Sequence, residues 1–295
     1  MIDIRHHIYS LAAVFLALAI GMVIGSSFGG NSTSNSSGRK TIQRYETDMR
    51  QLKDEIIKAT QTEARKAAAL KACQDYCRAV MPMAVKNKLH WRNVAVVQTG
   101  DYDDLTGSVK QALEMAGAQV TCTADISSAF PFADDTRISQ VLINCGLGST
   151  RDPKTDRDRL FRILTGTICA GKYSYLASKL EKEGVAVFSG DCDTASKLVV
   201  IVGGASSDAK TLAENVDAQL LTGFEKLGVT VVGCEASDAV RSYVPMWHKA
   251  GIATVDNADN AMGQTCLIYA LNGETANFGT KDTADRLIPK TMESP

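Results

Sequence analysis

The chain has 295 residues, enough for one full α/β domain with accessory segments. A hydrophobic content of 45% against 22% charged residues excludes wholesale disorder. A net charge of -1 with no basic stripe argues against nucleic acid as a partner.

Residues 8–28 are almost wholly apolar and carry no charge. A spanning helix needs ~20 such residues, so the segment reads as a single membrane crossing. A cleaved signal peptide has a shorter apolar core of ~7–15 residues and a small-residue cleavage site, for which residues 25–27 (Gly-Ser-Ser) could serve. Arg5, His6 and His7 precede the span, and the next basic residues are Arg39 and Lys40. The positive-inside bias therefore puts the N-terminus in the cytoplasm and the C-terminal domain outside the plasma membrane. Ala13, Ala17, Gly21 and Gly25 recur every four residues and line one helix face with small side chains. Such a face lets a second helix approach closely, although Ala and Gly are common in spans anyway.

Residues 29–41 read as a flexible linker rich in Gly, Ser and Asn. A heptad follows over 42–81. One seam position holds Ile42, Met49, Ile56, Glu63, Leu70 and Cys77; the other holds Tyr45, Leu52, Ala59, Lys66, Cys73 and Val80. Apolar residues alternating at three and four define a coiled-coil seam, which Glu63 and Lys66 interrupt. Pro82 is expected to stop the helix.

From there to residue 295 short apolar runs alternate with amphipathic stretches. Strands are expected at 93–98, 118–122, 140–145, 185–189, 198–203, 229–233 and 252–255. Helices are expected at 104–116, 156–182 with a break near Gly171, 208–226, 237–248 and 259–271. This alternation predicts an α/β domain with a Rossmann-like, mainly parallel, doubly wound sheet. A faint echo between residues 93–120 and 198–232 suggests two βαβ halves.

Enzymatic signals are sparse, and the chain reads as a non-enzyme. His90 and His248 each sit beside a tryptophan, as packed residues do, and no Gly-x-Ser-x-Gly elbow occurs. The turn at 203–208 (Gly-Gly-Ala-Ser-Ser-Asp) could hold a small ligand but lacks the dinucleotide fingerprint. Asp and Asn residues gather at expected strand ends, where helix capping explains most of them. Eight cysteines show no disulfide or zinc spacing and read as unpaired thiols. The pointed constellation is Cys73, Cys77 and Met81, four residues apart on one helical face. Thiolate and thioether are soft ligands that select Cu(I). The two cysteines are also seam residues, so packing or an interchain disulfide accounts for them equally.

The opening Met1-Ile-Asp-Ile-Arg-His-His-Ile-Tyr-Ser-Leu-Ala-Ala-Val-Phe-Leu-Ala-Leu-Ala-Ile-Gly-Met-Val-Ile-Gly25 resembles that of the MctB family of copper transport proteins, which includes SteB-like cell-envelope proteins. So do Val255-Asp-Asn-Ala-Asp-Asn-Ala-Met-Gly-Gln264, Tyr269-Ala-Leu-Asn-Gly273, Asn277-Phe-Gly279 and Ala284-Asp-Arg-Leu-Ile-Pro289 near the end. The resemblance implies an envelope protein in copper transport or homeostasis, or a structural scaffold for cell-wall assembly. It carries no catalytic residues over. A small-ligand receptor is a third reading. The expected partners are the membrane, further copies of the chain through both helical segments, and other envelope proteins.

Overall fold

A computed structural model describes residues 4–28, 34–207 and 212–293. The chain divides into two compact units, Met1–Leu70 and Lys71–Pro295.

The first unit holds helix α1 (Ile4–Phe28) and most of helix α2 (Ser34–Val85). From residue 9 to 25 every side chain of α1 is exposed and none is charged. A helix that is apolar all round needs either a large core or lipid around it. Among the described residues, no helix is long and apolar enough to cross a membrane. The expectation over 8–28 is therefore met as to helix, while the crossing itself is not shown. Helix α2 corrects two further expectations. It begins at Ser34, inside the stretch expected to be a linker, and it runs through Pro82 to Val85. Residues 29–33 of that linker lie outside the described residues. Proline removes one backbone bond and crowds the preceding turn. Here it falls in the last turn, where few bonds remain to lose, and buried Met81 and Val85 hold that turn in the core. On the expected seam, Ile42, Tyr45, Met49, Leu52, Ile56 and Leu70 are all exposed. The interrupting residues pair with each other, Lys66 Nζ lying 2.9 Å from Glu63 Oε1.

The second unit is built on a seven-stranded sheet. In chain order it comprises β1 (Asn93–Gln98), α3 (Asp103–Met115), β2 (Gln119–Ile126), α4 (Asp135–Asn144), α5 (Pro153–Cys169), α6 (Ala177–Lys182), β3 (Ala186–Gly190) and β4 (Leu198–Val202). After it come α7 (Ala218–Lys226), β5 (Thr230–Cys234), α8 (Val244–Lys249), β6 (Ala253–Val255), α9 (Ala261–Leu271), β7 (Asn277–Phe278) and α10 (Lys290–Glu293). The sheet order is β3-β2-β1-β4-β5-β6-β7, parallel except for β3, which runs antiparallel to β2 at one edge. The two halves anticipated from the internal echo are the adjacent parallel pairs β1/β2 and β4/β5.

Side chains alternate across each central strand, so the sheet carries a core on both faces. Ala95, Val97, Val199 and Ile201 pack under α4, α5 and α7. Val94, Val96, Leu198, Val200 and Val202 pack on the other face with α3, α9 and the end of α2.

Four local expectations fail for identifiable reasons. Residues 140–145 form a helix end rather than a strand. Ile138, Val141, Leu142 and Cys145 are buried at helical spacing, and Asp134 caps the helix by accepting from the amides of Thr136 and Arg137. The helix expected over 237–248 shrinks to α8. Side chains take the backbone donors before it, Asp259 accepting from Ser237 N at 2.7 Å and Glu235 from Tyr243 N at 2.8 Å. Strand β7, only two residues long, was not anticipated. Finally, the cysteines are not all unpaired: Cys122 of β2 and Cys192, just after β3, form a disulfide. The break near Gly171 does occur. Its φ is +63°, and a Cβ there would lie 2.2 Å from Asp193 O.

Candidate functional site

The end of α2 presents Tyr76, Cys77, Val80, Met81 and Ala84, a single stripe at i, i+1, i+4, i+5 and i+8. Helix α9 presents Ala261, Met262, Thr265 and Cys266 at the same spacing. Together with Ile288, Pro289 and Met292 from the C-terminal segment, these two stripes line an apolar groove of about 190 Å³. Two thiols and three thioethers, those of Cys77, Cys266, Met81, Met262 and Met292, therefore border one cavity.

Local sequence explains why the stripes meet. Asn260 caps α9 by accepting from Gly263 N at 3.0 Å, which fixes the start of the helix and the position of Met262. The preceding residues are held too: Asp256 accepts from the amides of Thr280 and Lys281, and Asp259 binds Ser237. The motif at 255–264 thus sets the α9 side of the groove. Met81, Cys266 and Val85 are buried, Cys77 is half-buried, and Met292 is exposed at the rim.

Of the residues singled out from sequence, Cys77 and Met81 lie on the groove and Cys73 does not line it. Cys73 is exposed one turn earlier, with its thiol in hydrogen-bonding reach of Cys77. Met262, Cys266 and Met292 were missed, being about two hundred residues away in sequence. The available signal was the Met262/Cys266 pair, which repeats the i, i+4 sulfur spacing of Cys77/Met81. Ala13, Ala17, Gly21 and Gly25 do fall on α1, with nothing near the added Cβ positions of the two glycines.

Burial raises the Cys77 thiol pKa, and neighbouring Cys73 raises it further. Burial likewise pushes Cys266 up to about 12, and its thiol donates weakly to Leu287 O at 3.5 Å. Both are therefore neutral thiols at physiological pH. Among the described residues no group of three His, Cys, Asp or Glu side chains could hold a metal. The groove's donor set is of another kind, almost purely soft sulfur, which suits a monovalent soft cation and discriminates against hard ones.

The family described as "Copper transport outer membrane protein, MctB" matches residues 1–289. The protein named "Copper transporter MctB" from Mycobacterium tuberculosis is 26% identical over 321 residues, covering 95% of this chain and 96% of that relative. The protein of the same name from Mycobacterium bovis is similar to the same extent. The one from Mycobacterium leprae is 28% identical over 148 residues, covering 50% of this chain and 44% of its own length. With the match running from the first residue through the motif at 284–289, the chain belongs to the MctB family.

Proposed function

We propose that this chain is a copper-handling protein of the cell envelope, anchored in the plasma membrane by α1, and that it takes Cu(I) in the groove between α2 and α9. The observation that carries the reading is the convergence of five sulfur side chains on one apolar cavity. Cu(I) is soft, tolerates low coordination numbers and prefers thiolate and thioether over water. The names of the relatives point to the same metal.

The chain acts without catalysing a covalent reaction. Its N-terminus is cytoplasmic and the unit Lys71–Pro295 is extracytoplasmic. The apolar surface of α1 supports the anchor, and Arg5 with the two following histidines supports the orientation. The small face of Ala13, Ala17, Gly21 and Gly25 and the exposed seam of α2 serve self-association and docking of other envelope proteins. The exposed seam also favours a second reading, a scaffold of the SteB type, in which assembly rather than metal is the output.

The test is Cu(I) titration of the full chain in detergent against a colorimetric Cu(I) chelator. A single high-affinity Cu(I) per chain is expected, lost when Cys77 and Cys266 are both changed to Ser and kept in Cys73→Ser. Unchanged stoichiometry in the double variant would overturn the copper site and leave the scaffold as the favoured reading.

A further inference from the structure

Residues 86–92 (Lys-Asn-Lys-Leu-His-Trp-Arg) join α2 to β1 and put three cations, a histidine and a tryptophan into seven positions, in a chain whose net charge is only -1. Leu89 is fully buried and plugs this loop into the core. Around it Lys86, Asn87, His90, Trp91 and Arg92 are exposed. Trp91 is 83% exposed, whereas Trp247 is fully buried. Tryptophan is the largest apolar side chain, so leaving it in water forgoes more burial than any other residue would.

The backbone nevertheless fixes this loop. Every amide from Lys88 to Arg92 donates: Lys88 to Val85 O, Leu89 to Ala116 O, His90 to Asn87 O, Trp91 to Gly117 O and Arg92 to Leu89 O. The Arg92 carbonyl in turn accepts from Gln119 N at 2.9 Å. Within that frame Trp91 has φ +60°, the left-handed region that a bulky side chain rarely enters. Asn87 shares this conformation, but asparagine tolerates it. A strained residue persists only where its surroundings over-determine it, and such residues cluster at sites of recognition.

The exposed groups lack partners within the fold. Lys86 and Arg92 form no ion pair among the described residues. Lys88 lies over the Tyr269 ring instead of meeting a carboxylate. The Trp91 ring meets only the His90 imidazole, 4.9 Å away between centroids and tilted by 59°. The two rings thus form an open aromatic notch flanked by cations.

That chemistry selects a polyanion with flat apolar faces. Lysine and arginine runs of this length attract acidic polymers. A pyranose ring presents C–H bonds that pack on the electron-rich face of an indole. A lipid surface fits less well. Adsorption to a bilayer scales with buried apolar area, and Trp91 is the one exposed apolar side chain in residues 86–93. We propose that this loop is a docking surface for an acidic polysaccharide, with Trp91 stacked on a sugar ring and Lys86, Lys88 and Arg92 pairing with its anionic groups. The choice of a glycan over a nucleic acid rests on the extracytoplasmic placement proposed above, whereas the binding is tested independently of that placement and of copper.

The test is calorimetry on the full chain in phosphatidylcholine nanodiscs. The probe is an oligogalacturonate. Maltodextrin serves as the uncharged glycan, oligoglutamate as the anion without sugar rings, and phosphatidylglycerol vesicles, read by flotation, as the lipid surface. Oligogalacturonate is expected to bind more tightly than either soluble comparator. Trp91→Asn, a residue that accepts positive φ, should weaken it by about fivefold or more, the threshold of an interface anchor. The same variant should unfold at no lower urea concentration than the native chain, because the strain is relieved and no core contact is lost. Lys86→Gln combined with Arg92→Gln should weaken binding and flatten its dependence on salt. Silence from oligogalacturonate at millimolar concentration overturns the proposal, as does capture by the vesicles without glycan binding. Oligoglutamate binding as tightly as the glycan, or glycan binding that survives Trp91→Asn, also overturns it.

Discussion

The hydroxyl of Tyr269 donates to the carbonyl oxygen of Ala84 at 3.3 Å, tying α9 to the last turn of α2. The final carbonyls of a helix have no partner within it, so this bond satisfies one of them. The Lys88 ammonium lies 4.8 Å from the centre of the same ring and adds a second tie just beyond the helix. These contacts hold the Cys77/Met81 stripe against the Met262/Cys266 stripe.

Replacing Tyr269 by Phe keeps the ring and removes the bond. The expected cost is about 1 kcal/mol, concentrated where the helix end loosens. Hydrogen exchange should accelerate over residues 81–89 and Cu(I) should be retained less tightly. Unchanged exchange there would show that packing alone sets the groove.

Copper affinity should rise with pH. Cys266, pushed up to about 12, and Cys77, also raised, hold their protons at neutrality, so Cu(I) must displace them. Each displaced proton adds about tenfold in apparent affinity per pH unit. Competition titrations at pH 6, 7 and 8 measure this slope. A flat profile would mean that thioethers alone bind the metal.

The disulfide between Cys122 and Cys192 spans a sequence separation of 70. Closing a loop of that length restricts the unfolded chain by about 4 kcal/mol in the chain-entropy treatment. It also fastens the antiparallel edge strand β3, whose register places Cys122 opposite Gly190. Reduction, or paired replacement by Ser, should lower the unfolding midpoint and expose β3 first. A reduced protein with an unaltered midpoint would contradict this.

The parallel core was legible in the sequence because buried central strands are continuous apolar runs, as in Leu198-Val-Val-Ile-Val202. The run Val141-Leu-Ile-Asn-Cys145 looked the same locally, and only the wider spacing from Ile138 reveals a helix. Strand β7 is too short for any periodicity, and a disulfide joining Cys122 to Cys192 depends on the antiparallel turn of β3, which no local pattern encodes. The site was half legible for the same reason. Cys77 and Met81 share a helix, so their spacing shows their common face. Met262, Cys266 and Met292 join them only through tertiary packing.

The exposed seam of α2 predicts association. Ile42, Met49 and Ile56 are 60%, 66% and 64% exposed, a continuous apolar row with no cover in a single copy. Seam residues of this kind pack as knobs into holes of a second helix. Ile56→Asp should shift the full chain toward smaller particles in sedimentation analysis, whereas Lys53→Asp, off the seam, should not. Equal mass in both variants would exclude the seam as an interface.

Asp217 makes stability depend on pH in a defined direction. Burial pushes its carboxyl from 3.8 up to about 7, while hydrogen bonds from Thr99 and Trp247 pull it partly back. The folded state thus holds the proton more tightly than the unfolded chain. The associated stability is fully present below about pH 4 and is lost as pH rises through about 7. At 1.36 kcal/mol per unit the loss is at most about 4 kcal/mol. Asp217→Asn keeps an oxygen to accept from Trp247 Nε1 and cannot ionise. The variant should therefore match or trail the native chain at pH 5 and exceed it at pH 8, as read from urea midpoints at the two pH values. A gap that does not change between them would mean that Asp217 is already ionised in the fold, paired with a group other than Trp247.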